Sequence, residues 1–305
     1  MKKIVKLIIV CAFLFVTGLF FIGISLGVAL NFSAKNTSAG TKNNRLILSE
    51  YTISLDEAEK MDIDLSASHV NICPTDESEI KISYWEDKNN PIFVVNIQEN
   101  TVTVRNVNDE IAGISVNMIS LDDLIGNSKN EHEINIYIPK EYAGSLLAEI
   151  ESGGLEMHEL TFQKEISIRV NSGSVTLDEI SCEDNITISS NSGGVRLSDI
   201  YTNETLSIDV ISGGINGDSI RANFIDASVN SGGIRINHVE VLKGIATKSN
   251  SGGIHVGLVD SVEAYSITSH TNSGGNNLYG LTGKGEKTIN ATANSGGINY
   301  TFDVQ

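Results

Sequence analysis

The sequence predicts an all-β chain, a single-stranded β-solenoid (β-helix) of coils about 20 residues long, preceded by one N-terminal transmembrane helix. Three observations predict it. The chain opens on a long uncharged run, apolar and polar residues then alternate, and Ser-Gly returns at a nearly constant interval through the second half.

The uncharged run, Leu7 to Leu30, reads LIIVCAFLFVTGLFFIGISLGVAL and holds 24 residues. A helix needs about 20 to cross the hydrocarbon core, whereas a signal peptide carries an apolar region of only about 7 to 15. Residues 7–30 are therefore expected to be an uncleaved anchor; the best cleavage candidate, Phe32 to Ala34, is poor. Lys2, Lys3 and Lys6 place residues 1–6 in the cytoplasm and the rest outside. The expected localisation is thus the cell membrane, single-pass, with an extracellular C-terminal domain. Residues 31–44, polar and small, read as a flexible stalk.

Beyond Leu30 the chain holds 18 basic against 38 acidic side chains, a net charge of −20. Nucleic acid is excluded as a partner, because phosphate binding rests on Lys and Arg. Anionic lipid and teichoic-acid-like polymers are disfavoured for the same reason. Cys73 and Cys182 stand alone in strand-like segments more than 100 residues apart and are expected to be buried, unpaired thiols.

Residues 45–145 form the N-terminal β-strand part. Alternation is clear in IDLSASHVNI, EIKISYW, FVVNIQENTVTVRNV and EINIYIPK, each bounded by polar or Pro clusters. Residues 109–130 interrupt them as a short helix or long loop. Residues 146–305 form the regular repeats. Ser-Gly recurs at Ser152, Ser172, Ser192, Ser212, Ser231, Ser251, Ser273 and Ser295, spaced 20, 20, 20, 19, 20, 22 and 22. In each unit two short alternating stretches flank one tight turn, as with Ile166, Ile168 and Val170 before Val175, Leu177 and Ile180. One unit cannot bury its own apolar face, so stacked units must share a continuous core.

The turn predicts a structural ladder. It consists of Asn171, Ser172 and Gly173; Asn191, Ser192 and Gly193; Ser212 and Gly213; Asn230, Ser231 and Gly232; Asn250, Ser251 and Gly252; Asn272, Ser273 and Gly274; and Asn294, Ser295 and Gly296. Glycine permits positive φ and close backbone approach at a stacked corner. The asparagines are expected to hydrogen-bond from unit to unit, as amides do wherever identical segments stack. Glu151 and Ile211 are expected to break that row.

With the upstream INIYIPKEYAGSLLAEIESGGLEM, these units resemble the bacterial putative-adhesin family, also called domain of unknown function 4097. That family shares Ser-Gly-[Gly/Asp]-[Val/Ile] runs at intervals of about 20 residues. An IPK-like strand end, here Ile138, Pro139 and Lys140, precedes the first run, and the resemblance covers about Asp62 to Phe302. It implies right-handed coils at the cell envelope, often encoded beside regulators of envelope stress, and no catalytic residue. This chain departs by favouring Gly-Gly over Gly-Asp, which weakens any calcium stripe.

No constellation of residues points to catalysis or a cofactor. His69, His132, His158, His238, His255 and His270 lack metal-ligand spacing. Asp178, Asp199 and Asp218 are placed along one edge of three neighbouring coils, but the calcium nonapeptide is absent. The expected function is a non-enzymatic structural or interaction module, meeting an envelope protein or wall polymer. The alternatives are a self-assembling scaffold, against which INYTFDVQ at the C-terminus counts by reading as a weak end cap, and a glycan-active enzyme with a site beside residues 109–130.

Overall fold

A computed structural model describes residues 46–87, 91–107 and 132–303. Alternating Ile, Val and Leu give extended chain almost throughout. The first strands are β1 (Leu46–Ser54), β2 (Lys60–Leu65), β3 (Ser68–Thr75), β4 (Glu79–Asp87), β5 (Phe93–Gln98) and β6 (Thr101–Asn106). After them come β7 (Glu133–Pro139), β8 (Glu141–Tyr142) and the long β9 (Ser145–Phe162). The repeats supply β10 (Ile166–Ser172), β11 (Val175–Cys182), β12 (Ile186–Ser192), β13 (Val195–Thr202) and β14 (Thr205–Ser212). They continue with β15 (Ile215–Ser231), β16 (Ile234–Ser251), β17 (Ile254–Leu258), β18 (Tyr265–Ser273), β19 (Lys287–Ser295) and β20 (Ile298–Phe302).

Two parallel ladders share one core. The first runs β6, β2, the start of β9, β10, β12, β14, the end of β15, the end of β16, β19 and β18. The second runs β7, β3, the end of β9, β11, β13, the start of β15, the start of β16, β17 and β20. One strand from each ladder, joined at a corner, makes a layer. Inward residues fall in register. Leu146, Ile166, Ile186, Leu206, Ile225, Ile245 and Ile289 form one buried column of the first ladder. Each faces like side chains in the layers on either side, so the apolar surface of one layer is covered by its neighbours.

The expected single-stranded β-solenoid behind a transmembrane helix is corrected on three counts. Layers follow chain order only from β9 to β17. At the N-terminal end β2 and β3 lie between β9 and the later strands β6 and β7. At the C-terminal end β19 lies between β16 and the earlier β18, and β20 between β17 and Asn276. Ile298–Phe302, the described part of the expected cap, is therefore not the outermost strand.

Burial explains the inversion. In β19 and β20, Ile289, Ala291, Ala293, Ile298 and Tyr300 are all buried, so this unit is apolar enough to be covered on both sides. The unit of β18 buries only Tyr265 and Ile267 on its strand and Leu278 after its corner. Its polar Asn, Gly and Lys residues suit the outermost position.

The second count is strand direction. β5 pairs antiparallel with β6, β4 with β7, and β1 with β4, so the N-terminal end is closed by hairpin-like strands rather than a coil. The third is the helix. Among the described residues no helix is long and apolar enough to cross a membrane, and the helical pieces are 3-10 turns such as Leu55–Glu57 and Val262–Ala264. The expected anchor, residues 7–30, and the 109–130 insertion lie outside the described residues. The single-pass membrane localisation is accordingly not carried further.

Candidate interaction face

The corner between the ladders holds every residue of the expected Asn-Ser-Gly set. Gly173 has φ +148°, and a Cβ there would stand 1.3 Å from the Gly153 carbonyl oxygen of the adjoining layer. Gly296 has φ +141° and would meet the Gly252 oxygen at 2.0 Å. Only glycine fits both the backbone angle and the space. In six corners the first Gly N–H donates to the Ser carbonyl of the next layer, as Gly173 to Ser192 at 2.8 Å and Gly193 to Ser212 at 2.9 Å. Gly213 donates to Ser231, Gly232 to Ser251, Gly252 to Ser295 and Gly296 to Ser273. The last two bonds follow the inverted layer order.

Outside this corner the asparagine amides also meet. Asn191 donates to Asn171 at 2.6 Å, Asn250 to Asn230 at 3.0 Å, Asn294 to Asn250 at 3.0 Å and Asn272 to Asn294 at 2.6 Å. Ile211, 48% exposed, separates Asn191 from Asn230. Glu151 does not interrupt the row: its carboxylate accepts from Asn171 at 2.9 Å.

The outward side of the second ladder carries two polar columns. One contains Glu156, Thr176, Arg196, Asn216, Arg235, His255 and Asn299, all in register. The other contains His158, Asp178, Ser198, Asp218 and Asn237. Beside it, Glu159, Glu179, Asp199, Ser219 and His238 take φ between 49° and 55°, a left-handed bulge repeated in five successive layers. This bulge corrects the expected aspartate edge: Asp178 and Asp218 share a column, whereas Asp199 belongs to the bulge.

Charge divides along this face. Towards the N-terminal layers, Glu156 lies 3.6 Å from His69 and 4.0 Å from His158, which is 3.7 Å from Asp178. An open hollow of about 370 Å³ nearby is lined by His69, His132, Glu133 and the Ser152 corner. Further along, a cleft of about 250 Å³ is lined by Arg196, Leu197, Ser198, Asn216, Gly217, Asp218, Arg235 and Asn237. Among the described residues no group of three or more His, Cys, Asp or Glu side chains is placed to hold a metal ion. Both described cysteines are free. Burial pushes the Cys182 thiol up to about 11, and burial, then Glu156 and Glu159, push that of Cys73 up, so neither is poised as a thiolate.

The Arg196 column went unread in the sequence, although its signal is simple. Each member stands four residues after the Ser of its Ser-Gly, and that constant offset places them in one column.

A family model, Toastrack DUF4097, matches residues 58–301. The chain belongs to the Toastrack family. Among solved structures, this Toastrack chain is similar to a putative adhesin from Bacteroides fragilis, with 15% identity, a TM-score of 0.54, and coverage of 85% of this chain and 98% of the other. That likeness establishes a shared fold. It is also similar to a putative lipid binding protein from Parabacteroides distasonis, with 14% identity, a TM-score of 0.42, and coverage of 86% and 98%. No curated protein matches the chain.

Proposed function

We propose that this Toastrack chain is a non-catalytic interaction module that presents the outward side of its second ladder to a polymer or protein. The observation that carries this reading is the pair of in-register polar columns. They repeat one layer apart and offer the same kind of contact many times over on a backbone held by hydrogen bonds on both sides. Such a surface suits a ligand that is itself extended. Catalysis would need acid and base groups converging on one reacting atom. The carboxylates here are instead distributed along columns, paired with histidines, and the one buried thiol, that of Cys182, is held protonated. The Bacteroides fragilis protein, described as a putative adhesin, supports the reading by shared fold.

The test incubates the purified full chain with a panel of soluble polysaccharides and measures both binding and polymer length. Retention on the polymer with its length unchanged is the expected result. Shortening of a bound polymer in proportion to protein added would overturn the non-catalytic reading.

A further inference from the structure

Despite the excess of acids on the chain, one strip of its surface carries cations without carboxylates. From Arg196 through Asn216, Arg235 and His255 to Asn299, the first polar column contains no acid, and all five side chains are exposed. Among the described residues neither Arg196 nor Arg235 makes an ion pair, whereas Arg105, Arg169 and Arg221 all do. They stand two layers apart, about 10 Å at the ordinary strand separation, with the Asn216 amide between them at the rim of the 250 Å³ cleft. Asp218, which lines the same cleft, and Asp199 are engaged by other side chains. Asp218 is 2.8 Å from His238 Nδ1, and Asp199 accepts from Ser198 at 3.1 Å.

An extended arginine offers a planar fork of donors suited to carboxylate or sulfate. Two such forks in register, separated by amide and imidazole groups, match a linear chain whose anionic groups recur along its length. We propose that the Arg196–Asn216–Arg235–His255 column binds a linear anionic glycan lying across the layers. This inference rests on the interaction-module reading and names its ligand class. The overall negative charge then acts as a filter, because only a polymer aligned with the strip avoids the surrounding carboxylates.

The experiment measures binding of the full chain to polygalacturonate, which carries carboxylates, to dextran sulfate, which carries sulfates, and to neutral dextran, across a salt series. The expected result is salt-sensitive binding to one or both anionic polymers and none to dextran, the stronger arm identifying the anion. R196Q/R235Q should lose about tenfold or more in affinity, and R196K/R235K, which keeps the charge without the fork, should fall between. R169Q/K248Q removes the same charge from the outward side of the first ladder and should change affinity less than about threefold. All variants are checked for an unchanged unfolding midpoint, since the substituted residues are exposed. No anionic binding by the wild type, or equal losses in R196Q/R235Q and R169Q/K248Q, would overturn the proposal. Binding to dextran alone, insensitive to R196Q/R235Q, would overturn the strip while leaving the module reading standing. Arginine-dependent binding accompanied by polymer shortening would do the reverse.

Discussion

The middle layers, from β9 to β17, and the two end regions use different side chains to solve the same problem. In the middle every layer is covered by a near-copy of itself, and aliphatic residues of constant size suffice, as in Ile168, Ile188 and Ile208. At the ends no copy follows. Most of the buried aromatics gather there: Tyr84 packs edge-on against Phe93, Tyr142 edge-on against Phe162 of the adjoining β9, and Tyr265 leans on the half-buried Phe302. Large rings close off apolar surface that the next aliphatic row would otherwise have covered. Repetition thus builds the stack, and departure from repetition ends it.

This contrast is most sharply tested at the glycines. Gly173→Ala, in the middle, drives a methyl into the Gly153 carbonyl and should cost about 3 kcal/mol or more. Gly280→Ala, at the C-terminal end, has φ +81° but open space, and should cost about 1 kcal/mol. Chemical denaturation of both variants measures the difference, and equal losses would break the comparison. Next in size, Ile208→Ala should cost about 3 kcal/mol, because the layers on both sides prevent collapse of the cavity, and Leu278→Ala in the outermost layer about 2. Hydrogen exchange of the flanking strands would show whether the loss stays local.

Polar substitutions are weaker. Asp260 lies in the C-terminal region; burial raises its carboxyl, but bonds from Lys287 at 2.7 Å and Tyr265 at 2.9 Å outweigh this and hold it below its usual range. A lowered folded value stabilises the protein above the unfolded value, near pH 4, and the benefit fades as pH falls through the folded one. Asp260→Asn should therefore cost about 1 kcal/mol near neutrality, and the gap from wild type should close below about pH 4. In the corner ladder, Asn191→Ala loses one exposed amide bond and should cost about 0.5 kcal/mol. Glu179→Gly should have the opposite sign. Relief of its φ of 55° should stabilise the chain by about 0.5 kcal/mol, provided that the bulge is retained.

Much of the architecture was legible because it is periodic. The alternation in ISIRVNS and VTLDEISC states which side chains turn inward, and the constant Ser-Gly interval states that units stack in register. The asparagine row was legible for the same reason, and the Arg196 column would have been had the offset from Ser been counted. What was not legible came from comparing units with one another. Asp199 stands seven residues after its Ser whereas Asp178 and Asp218 stand six after theirs, so its separate column could have been counted; that the seventh position takes left-handed backbone in five layers, at two Glu, an Asp, a Ser and a His, could not.

The sequence by itself determined the strands, the inward and outward faces, the glycine corner and the family, because each follows from local pattern repeated many times. Tertiary structure alone decided the order of the layers. Whether β18 or β19 lies against β16 is set by which unit has enough apolar surface to be covered twice, a comparison of burial between units that no single unit contains. It also decided that Arg196 and Arg235 are without carboxylate partners among the described residues, because ion pairing depends on which charged side chains the packed layers bring within reach.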